Sequence, residues 1–447
     1  MTPLHANPAA ADKPSLLTAL RSDHRFGAML GLGFASGIPY PLVYATQSAW
    51  LSEAGVPLKT VGLMSWLTIA YQFKFLWAPF LDKYDAPFLS RALGRRRGWI
   101  VWSQILCMAT LAGVAFGDPG HWLGWTIGFS LALGFAGATQ DVVIDGWRIT
   151  VAPLDKQPIM TSVAETGWRV GNFAAGAGAF YMAHWFGWRT AYLSMAAILL
   201  VGAASALFAP EPESDKHASH DHPGLVATVI APIREMAGRL GPMAVPIFLM
   251  IASFRLPGYL TNAMAVPLFK QLHYSEAEIA TAVKLFGFWV ALGGVLLCSL
   301  AVARLGLMAG MLIGTVAGSA SHLSLAYLAA HGHGGGSDFA TFAVAVSIEG
   351  FAASFASVVL ITYMSSLTST ELAGSQYALL TSLCALPGHL LAGLSGFLAE
   401  RLGFQHFFEM TALIGVPVAI LCWWVLRRQA RDGRTQARSP EPGSVAR

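Results

Sequence analysis

Residues 211–224 read EPESDKHASHDHPG, a long polar interruption in a chain otherwise built of apolar stretches. Six such stretches precede it, at 26–52, 60–81, 98–117, 121–151, 157–185 and 190–209. Six follow it, at 241–269, 276–303, 305–330, 338–367, 372–400 and 404–426. Each is long enough to cross a hydrocarbon core of roughly 30 Å at about 1.5 Å per helical residue. The composition agrees, because 55% of the 447 residues are apolar and 12% charged, against roughly 25% charged in a soluble domain. These features predict an all-α membrane protein of twelve transmembrane helices in two six-helix halves. The expected divisions are a tail at 1–25, an N-terminal half at 26–209, a linker of flexible composition at 210–240, a C-terminal half at 241–426 and a tail at 427–447.

The halves repeat weakly. Gly134-Phe135-Ala136 matches Gly350-Phe351-Ala352, Val142-Val143 matches Val358-Val359, and Gly187-Trp188 matches Gly403-Phe404, all at a separation of 216 residues (134 to 350, 142 to 358, 187 to 403). Ile38-Pro39 matches Leu256-Pro257 at 218 (38 to 256). A parallel repeat of two six-helix halves resembles the architecture of the major facilitator superfamily, in which the substrate site lies between the halves near the midplane.

Charge placement sets the expected orientation. With both termini in the cytoplasm, 19 Lys and Arg residues fall in cytoplasmic segments and four, Lys59, Arg189, Lys270 and Arg401, in the opposite loops. The internal loops alone divide 10 to 4, the asymmetry of a multi-pass protein of the bacterial inner membrane. The polar start, with Lys13, Arg21 and Arg25 before the first apolar run, predicts no cleaved signal peptide. The net charge of +4 is spread over short loops rather than one face, so it points to lipid and topology and not to nucleic acid. Cys107, Cys298, Cys384 and Cys422 stand singly, which predicts neither a disulfide framework nor a metal site. No phosphate-binding GxxxxGK[ST] string is present. No cofactor is expected, and a monomer is. Gly31-Leu32-Gly33-Phe34-Ala35-Ser36-Gly37 has the wrong spacing for a dinucleotide fingerprint and is read as helix packing through small residues.

The loop after the second stretch runs Phe80-Leu81-Asp82-Lys83-Tyr84 and then Gly94-Arg95-Arg96-Arg97-Gly98-Trp99. It resembles the superfamily's signature between helices two and three, an acidic-basic pair followed by Gly-Arg-Arg, with a longer spacer. The role implied is a cytoplasmic latch in which Asp82 accepts from helix N-terminal amides of the other half or pairs with an Arg such as Arg95 or Arg96. A plain positive-inside anchor is the alternative for Arg95 to Arg97.

Charges within a bilayer cost roughly 2.5 kcal/mol or more at the centre, so they mark pathways or pairs. The N-terminal half holds Lys74, Asp141, Asp145, Arg148, Glu165 and Arg169. Spacings of three and four predict intrahelical Asp145–Arg148 and Glu165–Arg169 pairs; Asp145, Arg148 and Arg169 are assigned with Asp82 to the cytoplasmic gate, and structural neutralisation near the cytoplasmic ends is the alternative for both pairs. Glu165 is also a candidate proton carrier. Asp141 and Lys74 have no such neighbours, and are candidates for proton coupling and for solute contact respectively. The C-terminal half holds Arg255, Lys284 and Glu349 at depth. Their excess positive charge suits an anionic solute, although a structural Glu349–Lys284 pair is an alternative; Glu349 is the third candidate coupling carboxylate. Tyr40, Tyr44, Gln47, Gln140, Tyr259 and Asn262 offer aromatic faces and hydrogen bonds for sugar or peptide groups, against the alternative of packing and interfacial belts.

The strings Phe34-Ala-Ser-Gly-Ile-Pro-Tyr40, Trp50-Leu-Ser-Glu-Ala-Gly55, Lys74-Phe-Leu-Trp-Ala-Pro79, Gly94-Arg-Arg-Arg-Gly-Trp99, Ala138-Thr-Gln-Asp141 and Gly167-Trp-Arg-Val-Gly171 together resemble the AmpG-like muropeptide permeases. The resemblance covers the N-terminal half well and the C-terminal half loosely. It implies proton-driven import of N-acetylglucosaminyl-1,6-anhydro-N-acetylmuramic acid and its peptides for cell-wall recycling. The family is also similar to acetyl-CoA transporters. A carrier of another anionic sugar derivative or of a coenzyme A ester, and a receptor that senses without transporting, therefore stay open.

Overall fold

A computed structural model describes residues 23–43, 45–57, 69–212, 225–333 and 338–438. The twelve stretches appear in it as helices. In the N-terminal half these are α1 (His24–Glu53), α2 (69–83), α3 (Arg95–Ala115), α4 (Leu123–Val151), α5 (157–186) and α6 (188–208). In the C-terminal half they are α7 (244–271), α8 (Ala280–Leu305), α9 (Leu307–His331), α10 (Phe339–Ser366), α11 (373–402) and α12 (404–438). The beginning of the second stretch, 60–68, lies outside the described residues, as does Tyr44.

Two glycines of the repeat do matching work. Gly187 (φ 80°, ψ 161°) and Gly403 (φ 75°, ψ 158°) turn the chain between α5 and α6 and between α11 and α12. Positive φ is strained for a residue with a Cβ, so glycine lets two apolar helices follow one another without a loop. The Ile38-Pro39 and Leu256-Pro257 repeat also has a structural counterpart. Proline has no N–H to continue the helical ladder, and α1 and α7 are each interrupted just before it, α7 at Arg255 (φ −95°, ψ −1°). At the α1 break the Gly37 and Ile38 amides still bond carbonyls of the preceding turn, and the α7 break places Arg255 on a pocket, as interrupted helices do at binding sites in transporters.

The glycine string of α1 serves helix packing. A Cβ on Gly33 would meet the Ala164 carbonyl oxygen at 2.5 Å, and one on Gly167 the Leu30 oxygen at 2.4 Å. The α1 and α5 backbones therefore touch, as small-residue interfaces allow in lipid, where close van der Waals contact replaces the hydrophobic effect.

Each half has its own apolar clusters. Leu32, Val143 and Trp147 centre one in the N-terminal half; Met250, Val359 and Leu380 centre one in the C-terminal half. Ile149 of α4 joins the second, and Ala378 of α11 joins the first, so the halves interlock at the end of the bundle that carries the linker. Part of the linker is more ordered than its composition suggests: Leu225–Leu240 is a helix. Its Met236 is fully buried in the C-terminal core. Glu235 and Arg239, one turn apart, pair at 3.0 Å, and Arg239 donates to the Leu367 carbonyl at 2.6 Å. The polar run 213–224 lies outside the described residues. At the same end Asp23 caps α1 and accepts from Arg25 and Lys156. The Arg25 guanidinium holds its carboxyl well below the usual range.

Candidate solute and gating site

At the linker end Asp82 is almost wholly buried, with its charge met from two sides. Arg96 donates to Oδ1 at 2.5 Å. The backbone amide of Ser375, in the first turn of α11, donates to Oδ2 at 2.6 Å, and the Ser375 hydroxyl donates to the same oxygen. A carboxylate at a helix N-terminus meets unsatisfied amides and the positive end of the dipole. This contact crosses between the halves. It requires glycine on both sides: a Cβ on Gly374 would reach Asp82 Oδ1 at 2.9 Å, and one on Gly146 would reach the Arg96 guanidinium at 2.7 Å. Glu211, at the start of the linker, accepts from the Arg96 and Arg97 amides at 2.9 and 3.1 Å, capping α3. Arg95 stands half-buried at the same helix start.

Deeper in, the structure contains both intrahelical pairs that the spacing predicts. Arg148 reaches Asp145 at 3.3 Å and Arg169 reaches Glu165 at 4.0 Å. Both arginines also touch the other half. Arg148 lies 5.1 Å from the Tyr377 ring centroid, and Arg169 donates to Ser354 Oγ at 3.1 Å. Ser162 of α5 bonds Ser299 and the Val295 carbonyl of α8.

Asp141 lies ten residues from the end of α4, about 15 Å along the axis and thus near the middle of a span. Its Oδ1 accepts from Ser36 of α1 at 2.6 Å, and its Oδ2 stands 4.0 Å from the Lys74 ammonium of α2. Three helices thus meet at one carboxylate. Tyr40 packs edge-on against Tyr71, centroids 5.2 Å apart. Gln47 and Gln140 are buried without accessible surface to speak of. Gln47 donates to Ser130 of α4, while neither amide atom of Gln140 has a partner among the described residues.

In the C-terminal half Arg255, Tyr259, Asn262 and Glu349 line one pocket of about 70 Å³. Arg255 lies 5.6 Å from the Tyr259 ring centroid, and that ring packs on His389 at 4.7 Å. Glu165 of the N-terminal half is within electrostatic reach of Arg255. Lys284 sits apart from this group. It is exposed, on a π-helical turn (Ala280–Phe286), and forms no ion pair with Glu349.

The sequence reading did not single out Ser36, Tyr71, Ser375, Glu211 or His322. A histidine inside an apolar run was a usable signal; the others become visible only when helices are placed side by side.

The model of the Major Facilitator Superfamily matches residues 25–261. An anhydromuropeptide permease of Escherichia coli (strain K12) is 30% identical over 402 residues, 89% of this chain and 79% of that relative. The chain belongs to the anhydromuropeptide permease family of this superfamily. A second member, putative transporter AmpG 4 of Rickettsia felis, is 28% identical across 92% of this chain and 99% of its own. The fold of the permease matches the proton:xylose symporter XylE bound to 6-bromo-6-deoxy-D-glucose, with a TM-score of 0.63 at 13% identity over 90% of this chain and 94% of that one. The permease is thus a multi-pass membrane transporter and not an enzyme.

Proposed function

We propose that the permease imports anhydromuropeptides, N-acetylglucosaminyl-1,6-anhydro-N-acetylmuramic acid with or without peptide, together with protons. The observation that carries this is the pairing of unlike sites across the midplane. A carboxylate, Asp141, stands within reach of a cation in one half; an arginine, Arg255, opens on a cavity in the other. An uncompensated charge is costly at that depth. Asp141 therefore carries a proton while the site is open outward and releases it as Lys74 closes on it. Arg255 compensates the carboxylate of an anionic sugar acid or peptide. Both termini and the linker face the cytoplasm on this reading, supported by the Lys and Arg asymmetry. The bonds of Asp82 to Arg96 and Ser375 then hold the cytoplasmic side shut, with the Asp145–Arg148 and Glu165–Arg169 pairs behind them. Because the two halves of one chain enclose the site, the monomer is the transporting unit.

Counterflow is the test. Liposomes carrying the protein and loaded with unlabelled anhydromuropeptide should accumulate labelled anhydromuropeptide, and an inward proton gradient should drive net uptake without preloading. Exchange that ignores the proton gradient removes the coupling; no exchange at all removes the solute.

A further inference from the structure

His322 lies in α9 among apolar neighbours, with only 2% of its surface accessible, and lines the Arg255 pocket. Its ring lies against the Thr411 backbone, on α12, and among the described residues Nδ1 has no hydrogen-bond partner. A hydrogen on Nε2, the nitrogen nearer that backbone, leaves a neutral ring with a bare lone pair at Nδ1. A buried acceptor left without a donor is costly unless something supplies one. Arg255, on the same pocket, has donors and a positive charge but no acceptor. The two side chains are complementary to one ligand face, a carboxylate next to an N–H.

Resting on the solute reading above, we propose that this pocket is the subsite for a carboxylate and its neighbouring amide N–H, with Arg255 holding the anion and His322 Nδ1 accepting from the amide. Two parts of a muropeptide carry that chemistry. One is the lactyl carboxylate beside the acetamido group of muramic acid; the other is the carboxylate of a peptide end beside its own amide. His322 is then a specificity-determining residue, because a site with a buried acceptor rejects an otherwise identical ligand that lacks the donor.

Binding to the detergent-solubilised full chain is measured by calorimetry with two probes, 1,6-anhydro-N-acetylmuramic acid and N-acetyl-D-alanyl-D-alanine, and with their counterparts N-methylated at that amide. Wild type should bind at least one N–H probe about tenfold more tightly than its N-methyl counterpart, the scale of one hydrogen bond. The probe that shows the difference identifies the source. His322→Leu should lose that tenfold preference and weaken only the N–H probe, and His322→Asn, which keeps an acceptor near Nδ1, should restore much of it. Equal losses for both probe forms in His322→Leu, or a preference that disappears with Glu349→Gln instead, overturn the assignment. Muropeptide exchange by wild type in liposomes is followed beside these titrations. Exchange without any N-methyl discrimination sinks the His322 subsite alone, whereas neither exchange nor binding sinks the solute reading and the subsite with it.

Discussion

In the N-terminal half the intramembrane charges face one another: Lys74 and Asp141 at 4.0 Å, Arg148 and Asp145 at 3.3 Å, Arg169 and Glu165 at 4.0 Å. In the C-terminal half Arg255, Lys284 and Glu349 form no ion pair with each other among the described residues. Two six-helix units of one repeat thus handle the same physical cost differently. One neutralises its charges internally, so its rearrangement is a change of partners. The other keeps Arg255 and Glu349 on a cavity without an ion pair between them, where water, a proton or the solute can add to the compensation. The first arrangement suits coupling and gating, the second suits recognition.

The contrast is sharpest at Asp141. Asp141→Asn keeps the shape and the Ser36 contact but removes the titrating carboxyl. It should abolish uphill, gradient-driven uptake while leaving solute exchange largely intact. Gradient-driven accumulation by the Asn variant would move the coupling role to Glu349 or Glu165. A structural role for the Lys74 pair predicts something else, a loss of folded protein in Asp141→Asn and in Lys74→Gln alike. Monodispersity and thermal stability of the purified variants separate the two accounts.

On the recognition side, Arg255→Gln should weaken binding of an anionic muropeptide by about 1.5 to 3 kcal/mol, the value of a hydrogen bond to a charged group. That is roughly a ten- to hundredfold rise in the dissociation constant. Unchanged affinity in a folded variant would make Arg255 a packing residue of the α7 break.

How far these sites were legible depended on where their partners sit in the chain. Spans, halves and the Gly187 and Gly403 matches follow from hydropathy and spacing, since a helix must be about 20 apolar residues long whatever it packs against. Asp145–Arg148 and Glu165–Arg169 were legible because both members share one helix. Asp82 was legible as an acceptor of amides from the other half, but not its particular partner Ser375, 293 residues away (82 to 375). Lys284 looked equivalent to Arg255 in sequence. The π-helical turn that carries it has no clear residue signature. The helix inside the linker was hidden by the polar run before it, whose composition was extended to residues that bury Met236.

The Asp82–Ser375 contact offers a smaller effect on the same comparison, because it joins the two halves. Asp82→Asn keeps one acceptor for the Ser375 amide but loses the charge that meets Arg96. The closed linker end should weaken by about 1 to 2 kcal/mol, the gap between charged and neutral hydrogen bonds. A cysteine placed at Ser162, which bonds α8 across the interface, should then be labelled several-fold faster by a membrane-impermeant thiol reagent from the linker side. Equal labelling rates would assign Asp82 to topology alone.

Lys284 should give the smallest change, and it tests whether charge or placement matters. Lys284→Gln removes the same unit of charge from the same half as Arg255→Gln. If the C-terminal half recognised an anion only through its summed charge, the two variants would lose affinity alike. Lys284 is exposed and lies outside the pocket that Arg255 and Glu349 share. One turn beyond it, Phe288 packs against Phe173 of α5, centroids 5.4 Å apart, so its helix face turns toward the gap between the halves. A water-exposed charge there steers an anion weakly, worth about 1 kcal/mol or less. Affinity should fall less than fivefold, with the loss shrinking further as salt is raised from low to physiological strength. A salt-insensitive loss as large as that of Arg255→Gln would place Lys284 against the bound solute and erase the distinction between the two cations.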